Sequence, residues 1–407
     1  MPTSENKQQP HSLWGVIPSG DYQLPLAPVT HSVRKRITAI QRLFRSDTSE
    51  QTSSFTAKDT LRTLHQRQLD DIAPSPQWND TVPVIENGFQ DWLRQTTPDQ
   101  PVMTMVGPPR SGHTQILTAW AEHHGWQSIT PPSAEQILSG DDTLLSKQII
   151  KGSPWIFPEM ERAFVRHPEG LGLIRRFMAD AFSGALGRGI IGCNSWAWAY
   201  LRHVWRGHVP GTLSFQAFDK TRLMEQFQRL ADPTGNRQIL FRQSDNGRHV
   251  LPPPDTEGAT NEISSFLQFL AAHSRGIFGV ALALWRSSLR TEPDETVTED
   301  TQKTDQGIRH RTVWVIPWSQ VALPELPSGA RQDEAFVLHT LLLHNGLDHT
   351  LLPAVLPLSP NQILETLSRL EESGLVIQES SRWQVTALGY PAVRQFLQAR
   401  GYLVDQF

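Results

Sequence analysis

One stretch, residues 102–117, constrains the fold of this chain more than any other part of the sequence. It begins with a β-rich apolar run, Val102 to Val106, continues through a Gly/Pro turn and opens a helical pattern at Gly112. Strand, turn and helix in this order are the repeating unit of layered α/β folds. We therefore expect an α/β domain in which this turn connects a central strand to the helix that follows it.

The turn has the spacing of a phosphate-binding P-loop, whose pattern is G-x-x-x-x-G-K-[S/T]. Gly107, Gly112 and Thr114 fit this pattern, but His113 stands where the lysine belongs. Histidine is shorter and mostly neutral at pH 7, so it replaces a fixed cation poorly, whereas Arg110 offers a charge within the loop. The alternative is a strand-to-helix turn without function. The residues predicted to contact a bound phosphate are Gly107, Arg110, Ser111, Gly112, His113 and Thr114, with the Thr114 hydroxyl as a Mg²⁺ ligand.

Strands and helices continue to alternate up to about residue 231, which predicts a largely parallel sheet and favours a nucleotide-binding fold. The predicted strands are Val102–Val106, Trp126–Thr130, Trp155–Phe157, Gly189–Cys193 and Thr212–Ala217. The predicted helices are Gly112–His124, Ser133–Ile137, Pro168–Phe182, Trp196–Val204 and Asp219–Leu230.

A second motif follows the predicted strand Trp155–Phe157. In P-loop enzymes, an acidic pair at the end of such a strand holds Mg²⁺ and activates water. Here Pro158 occupies the metal-holding position and Glu159 the position of the catalytic base. Glu161 is a candidate substitute, but it is predicted to lie on the helix that follows. Glu159 is also compatible with an ordinary solvated residue or a helix cap.

Asn194 ends the strand Gly189–Cys193, at the edge where open α/β sheets face their ligands. It is a candidate to orient water or to contact the γ-phosphate; the alternative is a turn, with Ser195 capping the next helix. Arg202 and Arg206 are either arginine fingers that reach a neighbouring subunit or ordinary surface residues. Cys193 is interpreted as a core residue.

The pair His123-His124 lies at the end of the first predicted helix and has no further ligand at metal-binding spacing. We interpret it as a favourable charge at a helix C-terminus rather than as a metal site.

Composition excludes several classes of protein. The chain has 407 residues, a net charge of −4 and a single cysteine, so it has no global attraction for nucleic acid and no intramolecular disulfide. Met1 to Pro28 contains no apolar signal core, and no segment approaches ~20 consecutive apolar residues. We expect a soluble, non-secreted, cytoplasmic protein without a transmembrane segment.

The N-terminal region contains a basic amphipathic pattern, Val33 to Arg45, which either docks on a partner or packs on its own domain. A Ser/Thr-rich linker, Ser46 to Thr56, and a short helix, Val84 to Gln95, come next. Beyond residue 231 the Asn246-Gly247 pair predicts a hairpin between Gln238–Phe241 and His249–Leu251. An amphipathic helix, Thr260–His273, and a very apolar one, Phe278–Leu289, predict a small lid. Thr291–Gln306 is predicted to be an acidic linker.

The last part of the chain predicts a winged helix-turn-helix. Helices are expected at Ala335–His344, Leu351–Leu356 and Pro360–Ser373, followed by a hairpin around Glu379–Arg382 and a final helix. The third helix has Ser359 as its N-cap, Pro360 in its first turn and Gly374 at its end. Its Asn361, Gln362 and Arg369 are accompanied by three glutamates, and Arg382, Arg394 and Arg400 add few cations. Protein contact is therefore favoured over DNA binding.

With these motifs in place, residues 85–407 resemble an AAA-type or STAND-type P-loop ATPase with a lid and a C-terminal winged helix. The resemblance rests on Gly107–Thr114, the strand ending at Glu161, Asn194 as a first-sensor equivalent and the lid helix after Ser274. It implies ATP with Mg²⁺, self-association and use as a switch or remodelling motor. His113, Pro158 and Gly279 depart from the family pattern.

The resulting hypothesis is an ATP-binding switch or assembly scaffold with weak or absent hydrolysis, in which Glu159 and Asn194 are the candidate catalytic residues. Its partners would be proteins bound through the winged helix and the N-terminal arm, or further copies of the chain. The alternative is a winged-helix DNA-binding regulator. The predicted segments are an N-terminal extension (1–83), a P-loop α/β domain (84–232), a helical lid (233–290), a linker with a short strand (291–329) and the winged helix (330–407).

Overall fold

The computed structural model describes residues 13–27, 61–95, 100–209, 211–232, 238–253, 263–292, 302–303 and 309–407. The chain forms two compact units, each built from separate segments. The first comprises Met1–Gln23, Gln77–Ala217 and Pro324–Phe407, and the second comprises Leu24–Pro76 and Phe218–Leu323.

The helices and strands are numbered in chain order. The strands are β1 (Val16–Pro18), β2 (Arg62–Thr63), β3 (Val102–Gly107), β4 (Gln127–Ser128), β5 (Trp155–Phe157), β6 (Gly189–Asn194), β7 (Thr212–Phe215), β8 (Gln238–Gln243), β9 (Leu289–Thr291), β10 (Gln302–Lys303), β11 (Arg309–Val315), β12 (Leu347–Asp348), β13 (Val376–Glu379) and β14 (Arg382–Val385). The α-helices are α1 (Gln66–Ile72), α2 (Val82–Arg94), α3 (His113–His124), α4 (Ala134–Leu138), α5 (Gly172–Phe182), α6 (Ser195–Val204), α7 (Lys220–Ala231), α8 (Phe266–His273), α9 (Phe278–Ser288), α10 (Gln332–Leu343), α11 (Leu352–Val355), α12 (Pro360–Glu372) and α13 (Tyr390–Ala399).

The first unit contains the predicted parallel sheet. Its strand order is β1-β7-β3-β6-β5-β4, in which β3 to β7 are parallel and β1 pairs antiparallel with β7. The connection after β3 leads through α3 to β4 on one side, whereas the connection after β6 leads through α6 to β7 on the other. The topological switch point therefore lies between β3 and β6, where open α/β sheets bind their ligands.

The predicted strands and helices of this sheet are confirmed, with ends that move by a few residues. The buried runs of β3 and β6 lie at its centre, since parallel strands covered on both faces are continuously apolar. The helix predicted at Pro168–Phe182 is divided into a 3-10 turn over Pro168–Leu171 and α5.

The C-terminal segment of the first unit has the predicted helices and hairpin in the predicted order, with one additional strand, β12, after the first helix. Helices α10 to α13 accompany a three-stranded antiparallel sheet, β12-β14-β13. Ser359 caps α12 by accepting a hydrogen bond from the Gln362 amide, and Pro360 occupies the first turn. This segment packs on the parallel sheet, because Leu343 and Phe407 belong to the same buried core as the sheet residues Val106 and Ile191.

The second unit is a mixed sheet with helices. Its strands run β10-β11-β9-β2, with β8 parallel to β11. Trp285 of α9 stacks on Phe227 of α7 with ring centroids 4.9 Å apart and also contacts Phe241 of β8. The hairpin predicted for Gln238–Leu251 is confirmed only next to its turn. Arg242 and His249 form an antiparallel bridge, and the Val250 amide donates to the Phe241 carbonyl at 2.8 Å. The segment His249–Leu251 does not form a strand, whereas β8 pairs along its length with β11.

Several predicted features fall outside the described residues. They include the basic amphipathic pattern Val33–Arg45, the linker Ser46–Thr56 and most of the linker Thr291–Gln306, within which Gln302–Lys303 form β10. Among the helices that the structure describes, none is long and apolar enough to cross a membrane.

Candidate functional site

The loop between β3 and α3, which we call the phosphate loop (Gly107–Thr114), has a backbone that only particular residues adopt. Gly112 lies in the left-handed region with φ 84°, and a Cβ there would lie 2.5 Å from the Trp78 ring. A Cβ on Gly107 would lie 2.5 Å from the Ser111 hydroxyl. Arg110 also has a positive φ, 68°, which is uncommon for a residue with a side chain. Both glycines of the predicted motif are therefore required by close contacts in a tight turn.

His113 is folded into this loop rather than extended from it. Its side chain is buried, with Nδ1 2.9 Å from the Ser111 hydroxyl, and its Nε2 has no hydrogen-bond partner among the described residues. Burial lowers the pKa of His113 from 6.5 to about 4. The imidazole is therefore neutral at pH 7 and does not replace the positive charge of a P-loop lysine.

A polar cleft of about 290 Å³ opens at the phosphate loop. One wall is the loop itself, and the opposite wall is the β13–β14 hairpin, which contributes Glu379, Arg382 and Gln384. Arg110 joins the two walls by donating from Nη2 to the Val385 carbonyl, at 3.1 Å. The C-terminal segment thus covers the switch point of the parallel sheet, which is the place where a ligand would bind.

Three guanidinium groups surround the cleft, those of Arg110, Arg162 and Arg382. Arg382 donates to the carbonyls of His344 and Gly346. Its pKa is lowered, first by burial and then by the nearby charge of Arg162. Glu159 and Glu379 also line the cleft, so carboxylates already balance part of this positive charge.

The cleft lacks part of the ligand set that a Mg²⁺ ion would need. Thr114 lines the cleft, but Pro158 is buried and offers no ligand at the metal-holding position. Glu159 also lines the cleft, where its carboxylate pairs with Arg162 Nη1 at 3.0 Å. A hydroxyl and a carboxylate already neutralised by an arginine are a poor site for Mg²⁺, which favours oxygen ligands with free negative charge.

Glu161 occupies a position that the sequence did not indicate. It lies in a 3-10 turn, Met160–Arg162, and is completely buried at the end of β6. Its carboxylate accepts hydrogen bonds from the Asn194 amide at 3.0 Å and from Asn345 Nδ2 at 3.1 Å. Burial raises the pKa of Glu161 to about 7, and the neighbouring charge of Glu159 also raises it. Glu161 therefore connects the parallel sheet to the C-terminal segment.

The side chain of Asn194 is committed to structural contacts. Its Oδ1 caps α6 by accepting from the Trp196 amide at 2.8 Å, and its Nδ2 donates to the Leu342 carbonyl at 3.0 Å. Ser195, which follows it, donates to the Asp405 carboxylate. Asn194 itself therefore caps α6, the role predicted for Ser195, which is instead the first residue of the helix.

The other residues singled out in the sequence lie away from the cleft. Arg202 and Arg206 are exposed at the end of α6 and after it. Cys193 is buried, and burial raises the pKa of its thiol, as expected for a core residue. His123 and His124 lie in the last turn of α3, at the opposite end of the helix from the phosphate loop.

The cations of the C-terminal segment are used internally. Arg369 pairs with the buried Glu334 at 2.6 Å, and Arg394 pairs with Asp405 at 3.1 Å, with both side chains almost fully buried. Arg400 donates to the Ala330 carbonyl.

Comparison with known proteins gives distant similarities. A family model described as the HemN C-terminal domain matches residues 332–391. A search of curated proteins finds no match. Similar solved structures include the RuvB Holliday junction branch migration motor of Thermotoga maritima, which is 14% identical over 81% of this chain and 95% of that chain, with a TM-score of 0.31.

Two further structures are similar at the same level. The ORC2 protein of Aeropyrum pernix in its ADP form is 13% identical over 84% of this chain and 99% of that chain, with a TM-score of 0.31. A Pyrococcus horikoshii signal transduction ATPase with numerous domains, which has a tetratricopeptide repeat sensor, is 12% identical over 79% of this chain and 42% of that chain, with a TM-score of 0.28. At such values these similarities carry no argument about activity.

Proposed function

We propose that this chain is an ATP-binding scaffold of the P-loop type, in which a C-terminal winged helix covers the nucleotide site and hydrolysis is weak or absent. The observation that carries the proposal is the cleft between the phosphate loop and the β13–β14 hairpin. It lies at the switch point of the parallel sheet and at the N-terminus of α3. The side chains of Arg110, Arg162 and Arg382 line it.

The phosphate loop fits a phosphate group better than it fits a metal ion. The backbone from Gly107 to Gly112 makes the tight turn that such loops need, and α3 begins at His113 without a side-chain cap. Arg110 and Arg382 would supply the positive charge that His113 does not. Thr114 is the one predicted Mg²⁺ ligand in place, so the metal would contribute little to affinity.

The groups that would promote hydrolysis are missing or occupied. Bound ATP supplies the phosphoanhydride, and its cleavage requires a base and a positioned water. Glu159, the candidate base, is paired with Arg162, and Asn194 is paired with a helix end and a carbonyl. Both arrangements favour binding without turnover.

The C-terminal segment supports protein contact rather than DNA binding. We assign it as a winged helix, with α12 in the position of a recognition helix and β13–β14 as the wing. Arg369, Arg394 and Arg400 would have to neutralise phosphates if it bound DNA. All three are engaged in contacts within the chain. The exposed face of α12, which includes Leu364 and Glu365, is more suited to a protein partner or to another copy of the chain.

Isothermal titration with ATP, with and without Mg²⁺, tests the nucleotide site. We expect saturable binding that changes little when the metal is removed, and no steady-state ATP hydrolysis. Arg382→Gln should weaken ATP binding by about tenfold, since one charge-assisted hydrogen bond to a phosphate is lost. Arg94→Gln, an exposed arginine of α2, is the matched control and should bind normally. Absence of heat at millimolar ATP would rule out the nucleotide role.

The scaffold role is tested separately by restoring the lost motif residues. If the chain acts as a scaffold, His113→Lys combined with Pro158→Asp should leave self-association and protein partner binding unchanged, as measured by analytical ultracentrifugation and affinity capture. A strong change in assembly on restoring these two residues would indicate a nucleotide-driven switch instead.

A further inference from the structure

A cluster of metal-ligating side chains lies at the end of α3 that is remote from the phosphate loop. His123 and His124 end this helix, and Glu86 reaches toward them from the neighbouring α2. One donor atom from each of the three residues lies within 4.8 Å of the others. The sequence showed only the histidine pair; the third ligand comes from a helix that precedes β3 in the chain.

The contacts around His124 hold it in position. Its Nε2 lies 2.9 Å from Glu86 Oε1, and its ring lies against the buried Trp120, with ring centroids 4.5 Å apart. Trp120 and His124 stand one turn apart on the same face of α3, so the packing follows from helical geometry. A ring fixed by a buried neighbour loses less conformational freedom when it binds a ligand.

We propose that Glu86, His123 and His124 bind a divalent transition-metal ion of the Zn²⁺ class. Two imidazoles and one carboxylate are a known zinc-binding set that leaves a fourth position for water. Donor atoms around tetrahedral Zn²⁺ lie roughly 3.3 Å apart, given bonds of about 2.0–2.1 Å. The donors lie within 4.8 Å of one another, so they would close by up to about 1.5 Å on binding the ion.

The position also suits a cation electrostatically. The C-terminal end of an α-helix carries partial negative charge from its last carbonyls, and the carboxylate of Glu86 adds to it. Imidazole with carboxylate selects borderline ions such as Zn²⁺ over Ca²⁺ or Mg²⁺, which favour oxygen alone. The bound ion would join α2 to α3 near the exposed surface, where the protein's Trp120 and Trp126 pack beside it.

Isothermal titration of the metal-free full chain with ZnCl₂ tests the site. We expect one saturable site per chain that persists in excess Mg²⁺. His124→Ala and Glu86→Gln should each weaken Zn²⁺ binding by about tenfold or more. His203→Ala is the matched control, because this histidine is also exposed near the end of a helix. Among the described residues, it belongs to no group of side chains that could hold a metal ion.

Co²⁺ provides a second measurement that does not depend on affinity. The metal-free chain loaded with Co²⁺ should show visible d–d absorption, which Glu86→Gln abolishes or shifts. Glu86→Gln keeps the size of the side chain, so its circular dichroism should match that of the natural chain. An equal loss of Zn²⁺ binding in His203→Ala and His124→Ala, or binding without saturation, would show adsorption to scattered histidines and overturn the proposal.

Discussion

The two ends of helix α3 carry the same residue type in opposite environments. His113 at the N-terminus is buried against Gly107 and Ser111, and its pKa is lowered to about 4. His123 and His124 at the C-terminus are exposed beside a carboxylate. The first has lost the role that a lysine would play at a phosphate, while the second pair has the chemistry of metal ligands.

For the histidines of α3, the position on the helix and the burial of the ring, more than residue identity, decide whether the ring can carry charge or bind a ligand. The N-terminal end of a helix favours anions and disfavours an added cation, so burial there leaves imidazole neutral. The C-terminal end favours cations, and exposure leaves the ring nitrogens available.

The largest expected effect is a difference in stability between alanine variants of the two glycines that flank α3. Gly112 and Gly125 both have positive φ, 84° and 63°. An alanine Cβ at 112 would lie 2.5 Å from Trp78, whereas a Cβ at 125 has no described residue within 4 Å other than its two neighbours in the chain. We expect Gly112→Ala to lower the free energy of unfolding by about 3 kcal/mol and Gly125→Ala by about 1 kcal/mol. Urea denaturation measures both.

Trp78 is unable to move aside freely, because it packs edge-on against Trp14, which in turn packs against Phe215. Equal losses of stability in the two alanine variants would show that the loop is looser than this packing implies. The N-terminal end of α3 would then be no more constrained than the C-terminal end.

A smaller effect concerns the buried histidine. The folded pKa of His113, about 4, lies below its ordinary 6.5, so its neutral form stabilises the fold above pH 6.5 and this contribution is lost as pH falls toward 4. His113→Gln removes the titrating group. Between pH 7 and pH 4, the variant should therefore lose about 2–3 kcal/mol less of its unfolding free energy than the natural chain loses.

His339 and His344 also have pKa values lowered by burial, so both proteins will lose stability in acid and only the difference reports on His113. Urea denaturation at a series of pH values gives this difference. His113→Leu should show the same reduced pH dependence. An unchanged slope in both variants would mean that water reaches the ring in the folded chain.

Local signals in the sequence were sufficient for most secondary structure. The glycine spacing predicted the phosphate loop, and Ser359, Pro360 and Gly374 predicted α12, because capping and turn chemistry depend on neighbours in the chain. The Asn246-Gly247 pair predicted a hairpin for the same reason. The chain does turn back there, but only Arg242 and His249 pair as a bridge. The six pairs of β8 with β11, a strand far along the chain, had no local signal.

The composition of the site was less predictable, because its residues meet only after folding. Glu161 was expected on a helix, yet it is buried in a 3-10 turn where Asn345 reaches it from the C-terminal segment. Arg382 was expected on an exposed wing, yet it lines the cleft. Glu86 joins His124 from another helix. Neither spacing nor periodicity carries such long-range information.

The distance along the chain between contacting residues has a consequence for the time course of folding. Asn194 contacts Leu342, Glu161 contacts Asn345 and Arg110 contacts Val385, over separations of 148, 184 and 275 residues. The second unit's 218–323 segment lies within each of these loops. Long loops must close before such contacts form, so the cover over the phosphate loop should assemble late.

Pulsed hydrogen exchange during refolding would reveal this order. We expect the amides of α8 and α9, whose partners are close in sequence, to gain protection before the Asn194 amide, whose acceptor Glu161 is fixed by the C-terminal segment. During synthesis, the loop would remain uncovered until the last helices of the chain have emerged, a period in which a chaperone or a ligand has access to it.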